Sequence, residues 1–381
     1  MKIEDLKTVA VLGAGTMGHG IAQVAAVAGY NVFIRDLSNE ILENAKANVR
    51  SSLERLVKRG RLSEKDLEAA LSRISTTLDL KEAVRNTDLV VEAVPERLDL
   101  KQRIFKEVEE AAPKEAILAS NTSSLSITDI AKAVKKPERV VGLHFFNPPA
   151  LMRLVEVVPG EKTSKETVEL ALGFAKKLDK MPVFVKRDSP GFVVNRVLIP
   201  YLNEASKIVE RGEFKALEID SAMQFKAKFP MGPFLLSDYI GIDIVYEILK
   251  VFEEKLGPFY RPSAPIEKLY KEKKLGRKTG EGFYGYKEGA PKVPEDAGAG
   301  FDVNRLLVPM VNEAAKLVSE GVAEMGDMDT AMKLGANLPE GPFETARRIG
   351  IDKLTGILKD LEKKYGKPYA PSPLLSSLKQ G

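Results

Sequence analysis

The run Thr8-Val-Ala-Val-Leu12, followed at once by Gly13-Ala-Gly15-Thr16-Met17-Gly18 and then by the helical pattern Ile21, Val24, Ala25, Ala28, restricts the fold of this chain more than any other feature. A β-rich run, a glycine turn and a helix in immediate succession open a βαβ unit, and the three glycines have separate tasks. Gly13 permits the tight turn, Gly15 lets the backbone approach a pyrophosphate, and Gly18 lets helix and strand pack closely. Thr16 and Met17 fall at the helix start, where unpaired N–H groups and the helix dipole favour phosphate. The next β-rich run, Asn31-Val-Phe-Ile-Arg-Asp36, ends in an acid 18 residues beyond Gly18. A carboxylate there bonds ribose hydroxyls and repels a 2′-phosphate, which favours NAD over NADP, although the adjacent Arg35 pulls the other way. His19, just after the motif, reads as a structural residue of the first helical turn.

Alternation continues with Thr87–Val94 as a buried strand, a helix from about Asp99 to Ala111, and strands at Ala116–Ala119 and Val140–His144. Strands separated by helices imply a parallel sheet covered on both faces, here a doubly wound α/β domain of Rossmann type, whose ligands bind outside the carboxyl ends of the strands. Glu96, Lys101, Asn121, Ser123, His144 and Asn147 all follow strand ends. Helix capping is a rival explanation for Asn121-Thr-Ser-Ser124. Between the second and third of these strands, residues 38–72 form an amphipathic helical excursion carrying Arg50, Arg55, Lys58, Arg59 and Arg61. It is either a solvated basic face or a site for an anionic carrier such as coenzyme A.

The segment from Arg139 to Pro159 places His144 and Glu156 on two closely spaced strand-like runs, and the chain has only two histidines. An imidazole titrates near neutral pH, and a fixed carboxylate can hold its tautomer and balance the imidazolium formed in turnover. The pair reads as a general base with its orienting acid. The competing reading is a satisfied core histidine beside a solvated glutamate.

Asp188-Ser-Pro-Gly191 ends the alternation, and the remainder is helical in pattern and repeats itself. Gly191-Phe-Val-Val-Asn195-Arg-Val-Leu-Ile-Pro-Tyr-Leu-Asn203-Glu204-Ala recurs as Gly300-Phe-Asp-Val-Asn304-Arg-Leu-Leu-Val-Pro-Met-Val-Asn312-Glu313-Ala, an offset of 109 that holds without gaps to Gly241-Ile-Asp243/Gly350-Ile-Asp352. A period of domain length means duplication of one all-α domain rather than a solenoid. The expected organisation is 1–188 as the NAD-binding domain with its excursion at 38–72, then 189–288 as a first all-α domain. A Pro-, Gly- and Ala-rich linker follows at 289–299, and 300–381 forms a second, homologous all-α domain. The loop Gly276-Arg-Lys278-Thr-Gly-Glu-Gly-Phe-Tyr284 of the first copy has no counterpart before Gly381, and this suggests a part of a longer polypeptide.

Composition narrows the function classes. Net charge is +4, from 58 basic against 54 acidic residues that are interleaved, so neither a nucleic-acid footprint nor a membrane-binding face stands out. With no cysteine there is neither disulfide nor thiol catalysis, and with two histidines a metal site is not expected. No signal core or membrane-length apolar run is visible, which makes a cytoplasmic protein the default.

Taken in order, the fingerprint, Asn121-Thr-Ser-Ser, His144-Phe-Phe-Asn-Pro, Pro190-Gly-Phe-Val-Val-Asn-Arg196 and Lys278-Thr-Gly-Glu-Gly-Phe-Tyr resemble the (S)-3-hydroxyacyl-CoA dehydrogenase family over about residues 6 to 288, with the second helical copy extending the match. The resemblance implies NAD-dependent interconversion of 3-hydroxyacyl-CoA and 3-oxoacyl-CoA, with His144 as base and Glu156 as its orienter. It also implies that Ser123 and Asn195 hold the substrate oxygen and thioester, that Glu96, Lys101, Asn121, Ser123, Asn147 and Lys278 line the NAD site beside the fingerprint residues, and that Ser52 and Arg59 touch coenzyme A. The resemblance makes 189–288 a domain of substrate and dimerisation type that forms the family's dimer contact, so an in-chain duplicate implies a monomer that mimics the dimer, with a homodimer as the alternative. A fused or associated enoyl-CoA hydratase is a further expectation drawn from multifunctional relatives. Two other readings stay open: a non-enzymatic NAD-binding scaffold, and a dehydrogenase for hydroxy acids or sugar nucleotides not carried on coenzyme A.

Overall fold

A computed structural model describes residues 2–378, so Met1 and residues 379–381, which the domain limits above include, lie outside the described residues. The chain divides into two compact units, Met1–Ser189 and Pro190–Gly381.

The first unit is one eight-stranded sheet: β1 Thr8–Leu12, β2 Asn31–Arg35, β3 Ile74–Thr77, β4 Leu89–Glu92, β5 Ile117–Ser120, β6 Val140–Phe145, β7 Leu154–Pro159 and β8 Met181–Phe184. Their order is β3-β2-β1-β4-β5-β6-β7-β8. The order reverses at β1, whose neighbours are β2 and β4, and this switch point sets the ligand crevice at the carboxyl ends of the strands. Seven helices accompany the strands: α1 Thr16–Val27, α2 Asn39–Lys58, α3 Glu64–Ser72, α4 Leu80–Val84, α5 Leu98–Ala111, α6 Ile127–Ala131 and α7 Lys165–Lys177. Caps fix their starts, since Ser38, Ser63, Asp79, Ser126 and Ser164 each accept a backbone N–H of the first turn. The central strands are buried runs such as Leu89-Val-Val-Glu92, as a sheet covered on both faces requires.

Three features depart from the sequence reading. The pair β6–β7 is antiparallel within an otherwise parallel sheet, because the connection from Phe146 to Arg153 is too short for a parallel crossover. The edge strands β3 and β8 are not foreseen. The first is a half-exposed Ile-Ser-Thr-Thr, and the second contains Pro182, tolerated because an edge strand has one side free of the ladder.

The second unit is helical: α8 Val194–Glu210, α9 Ala216–Ser221, α10 Pro233–Ile240, α11 Ile242–Leu256 and α12 Ala264–Lys271, then α13 Asn304–Ser319, α14 Met325–Gly335, α15 Pro342–Ile349, α16 Ile351–Tyr365 and α17 Pro373–Ser377. The two sets are the two sequence copies. They meet through equivalent residues exchanged between them. Arg196 of α8 pairs with Glu313 of α13, which also accepts Tyr260 Oη at 2.5 Å. In return, Arg305 of α13 donates to Glu204 of α8 at 2.8 Å, and Tyr369 Oη donates to the same glutamate at 2.5 Å. Reciprocal use of one patch is the pattern of a two-fold dimer interface, here within a single chain. The linker is docked rather than loose: Ser221 Oγ donates to Pro294 O at 2.6 Å and accepts Gly298 N at 2.9 Å, while Lys226 Nζ donates to Ala299 O at 2.7 Å.

Candidate active site

The glycine turn is built as the fingerprint requires. Gly13 has φ +99°, and a Cβ there would lie 2.5 Å from Ala93 O, while one on Gly18 would lie 1.7 Å from Gly13 O. Around Gly15 a Cβ would meet nothing within 4 Å, leaving open space at the start of α1 where a pyrophosphate fits. Thr16 and Met17 form the first turn of that helix. Asp36 accepts Ala14 N and Leu37 N, each at 2.6 Å. A carboxylate offers about four lone-pair sites, so it keeps capacity for ribose hydroxyls. Arg35, the residue that argued for NADP, is drawn aside: its Nε donates to Leu78 O at 3.1 Å.

At the end of β4 an acid–base relay leads to Ser123. Glu92 and Lys101 are each 1% exposed, and Lys101 Nζ donates to Glu92 Oε1 at 2.6 Å and to Val94 O at 3.3 Å. The same ammonium lies 3.2 Å from Glu96 Oε2. The other oxygen of Glu96 accepts Thr122 Oγ1 at 2.5 Å, Ser123 N at 2.9 Å and Ser124 N at 3.2 Å, and Ser123 Oγ lies 3.4 Å away. Burial pushes the Glu92 carboxyl up despite Lys101 and Ser120 beside it. For Glu96, burial pulls in the same direction, but the Lys101 ammonium and the bonds from Thr122 and Ser123 outweigh it and hold the carboxyl below the ordinary range.

His144 and Glu156 face each other as register partners across β6–β7, with Nδ1 2.6 Å from Oε2. Both are buried, Glu156 at 0% exposed. The contact between the carboxylate and the ring nitrogen fixes the orientation of the imidazole. Phe146 lies against the ring, centroids 4.5 Å apart. Asn121 Oδ1 accepts Phe145 N at 2.8 Å, tying the ends of β5 and β6 together beside this pair. Asn147 opens the connection to β7, which Lys180 fastens by donating to Pro149 O at 2.7 Å and Met152 O at 2.8 Å.

Ser52 and Arg59 lie seven residues apart, one within α2 and one at its end, hence on the same side of that helix, with Arg59 exposed. Of the other excursion cations, Arg50 pairs with Glu68 at 3.2 Å and Arg55 donates to Ser51 Oγ at 2.9 Å. Asn195 and Lys278 belong to the second unit. Asn195 sits in the first turn of α8, after a bend in which Gly191 has φ +75° and the buried Phe192 has φ +54°. A bulky residue in that region is strained and is held there by packing. Lys278 Nζ donates to both oxygens of Asp243 at 2.6 Å.

Glu92, Thr122 and Lys180 are not singled out by the sequence reading. Glu92 has a signal there, an acid closing an otherwise aliphatic buried strand; the other two have none.

Residues 8–189 match the family described as 3-hydroxyacyl-CoA dehydrogenase, NAD binding domain, and residues 191–286 and 300–380 each match the 3-hydroxyacyl-CoA dehydrogenase C-terminal domain. The chain belongs to the 3-hydroxyacyl-CoA dehydrogenase family. It is 46% identical over 289 residues to the mitochondrial hydroxyacyl-coenzyme A dehydrogenase of Sus scrofa, covering 74% of this chain and 92% of the relative. It is 37% identical over 388 residues to the fatty acid oxidation complex subunit alpha of Shewanella amazonensis, a match that takes in 97% of this chain but 54% of that longer protein. Among solved structures, a 3-hydroxybutyryl-CoA dehydrogenase from Escherichia coli superposes with a TM-score of 0.92 at 31% identity, covering 98% of both chains and hence both helical copies. The match to the NAD-binding domain spans the glycine turn and Asp36. No helix among the described residues is long and apolar enough to cross a membrane.

Proposed function

We propose that this family member is an NAD-dependent (S)-3-hydroxyacyl-CoA dehydrogenase with His144 as its general base. The observation that carries the assignment is the buried His144–Glu156 pair, 2.6 Å apart on opposed strand positions. When bound, NAD supplies the acceptor for the hydride leaving C3 of the substrate. His144 Nε2 takes the proton of the 3-hydroxyl as that hydride departs, and Glu156 balances the imidazolium that results. In reduction of the 3-oxo compound, the same nitrogen returns the proton to the new alkoxide. Ser123 and Asn195 are assigned to the substrate oxygen and the thioester, where hydrogen-bond donors stabilise developing negative charge. Gly13, Gly15, Thr16, Met17, Gly18 and Asp36 are assigned to the dinucleotide. Glu96, Lys101, Asn121, Ser123, Asn147 and Lys278 are assigned to the NAD site, and Ser52 and Arg59 to coenzyme A. An intact dyad speaks against a non-catalytic scaffold.

The domain assignment follows the same lines: residues 1–188 bind NAD, 189–288 serve substrate, 289–299 link, and 300–381 stand where a partner's helical domain would. The reciprocal Arg196–Glu313 and Arg305–Glu204 pairs support a monomer, and a solution mass of twice 41.9 kDa would overturn it. The match to half of a longer fatty acid oxidation subunit supports an enoyl-CoA hydratase as fused or associated partner, and a cytoplasmic location is proposed with it.

The direct test is oxidation of NADH with acetoacetyl-CoA, run beside free acetoacetate and beside NADPH. Turnover with the thioester and NADH alone is expected. Equal turnover of free acetoacetate would move the carrier away from coenzyme A, and none with any substrate would leave the scaffold reading.

A further inference from the structure

We infer that Glu92, at the carboxyl end of β4, is a positioning residue that sets the place of Ser123 through Lys101 and Glu96; this rests on the dehydrogenase reading of the site. Glu92 reaches no solvent, being 1% exposed, so it meets no ligand directly. Its two oxygens are both used, Oε1 by Lys101 Nζ at 2.6 Å and Oε2 by Ser120 Oγ at 2.6 Å. Lys101, equally buried, is thereby pinned where its ammonium reaches Glu96 Oε2. Glu96 in turn gathers the backbone of Ser123 and Ser124 onto its remaining oxygen. The loop carrying Ser123 therefore hangs on a carboxylate whose own position depends on a lysine that Glu92 holds.

A purely structural role explains this arrangement poorly. Two ions withdrawn from water gain little over well-packed apolar side chains of similar volume, so a buried Glu–Lys pair is a weak means of stabilising a strand end that is otherwise Leu-Val-Val. What the pair supplies, and apolar residues would not, is a cation at a fixed point behind Glu96. With Glu92 neutral, Lys101 has Glu96 as its remaining charged partner, and Glu96 is drawn toward the lysine and away from the Ser123 backbone. Displacements of about 1 Å in a positioned group cost on the order of 10²-fold in rate.

The test is a mutant cycle between Glu92 and Ser123, read as kcat and KM for acetoacetyl-CoA reduction in the full chain. Glu92→Gln is expected to lower kcat by about 10-fold or more while KM for NADH changes less, and to have no further effect on kcat in a Ser123→Ala background, because residues acting as a unit are non-additive. Glu92→Asp, which keeps the charge but shortens its reach to Lys101, should show the same coupling in milder form, and it decides the matter if Glu92→Gln fails to fold. An equal loss of kcat with and without Ser123, or an undiminished kcat in the native background, overturns the inference. Failure of the parent chain to reduce acetoacetyl-CoA would instead refute the dehydrogenase reading, and the inference would fall with it.

Discussion

His144 and Glu156 stand directly opposite each other on the antiparallel pair β6–β7, and the 2.6 Å contact between Nδ1 and Oε2 closes inside the protein, where water competes for neither group. Glu156→Gln keeps the shape but removes the charge that balances the imidazolium, so kcat should fall by about 10²-fold or more while NADH still binds. Steady-state rates beside NADH fluorescence titration read the two quantities. Loss of NADH affinity with kcat retained would assign Glu156 a different role.

Asp36 should govern cofactor choice. Replacing it with Ala removes both the ribose acceptor and the charge that repels a 2′-phosphate, so NADH should bind about tenfold more weakly and the preference over NADPH should shrink. Arg35 is held by Leu78 O and limits how far the preference reverses. An unchanged ratio of kcat/KM for the two cofactors would contradict this.

The interface between the helical copies should be intolerant of unpaired charge. Glu204 is buried and serves Arg305, Arg211 and Tyr369. Glu204→Gln takes the charged partner from Arg305, while Arg211 keeps Glu213, and should cost about 3 kcal/mol in denaturant unfolding. A cost under about 1 kcal/mol would mean that the contact is solvated and dispensable.

Asp220 gives the stability a pH dependence of definite sign. Burial pushes its carboxyl up to about 7, against an ordinary 3.8, while it accepts Phe234 N at 2.9 Å, Leu235 N at 3.0 Å and Tyr284 Oη at 2.9 Å. Between those two pH values the folded chain keeps a proton that the unfolded chain has lost. This group's contribution is therefore greatest below about pH 4, declines as pH rises to about 7, and is flat beyond, by at most about 4 kcal/mol. Asp220→Asn should consequently cost more stability at pH 5 than at pH 8 in urea unfolding. An equal cost at both would contradict the sign.

Much of this was legible in the sequence because it is local. The strand–glycine–helix opening needs only adjacent residues, and the copies announce themselves by an unbroken register from Gly191/Gly300 to Asp243/Asp352. What was not legible depends on pairing between distant segments. That Arg196 meets Glu313 of the other copy rather than Glu204 of its own cannot be read from a repeat in which both glutamates recur. The run of β7 was legible but not its antiparallel direction, which depends on pairing with β6, and the edge strands β3 and β8 lack the apolar runs that marked the central strands. Glu92 was visible as a strand residue, but its role requires Lys101 and Glu96 to converge on it from a helix and a loop.

The central claim, that His144 is the base, is tested most directly by His144→Gln in acetoacetyl-CoA reduction with NADH. The account predicts kcat reduced by about 10²-fold or more with NADH binding and folded-state spectra unchanged. Near-native turnover by that variant would remove His144 from the chemistry and contradict the account.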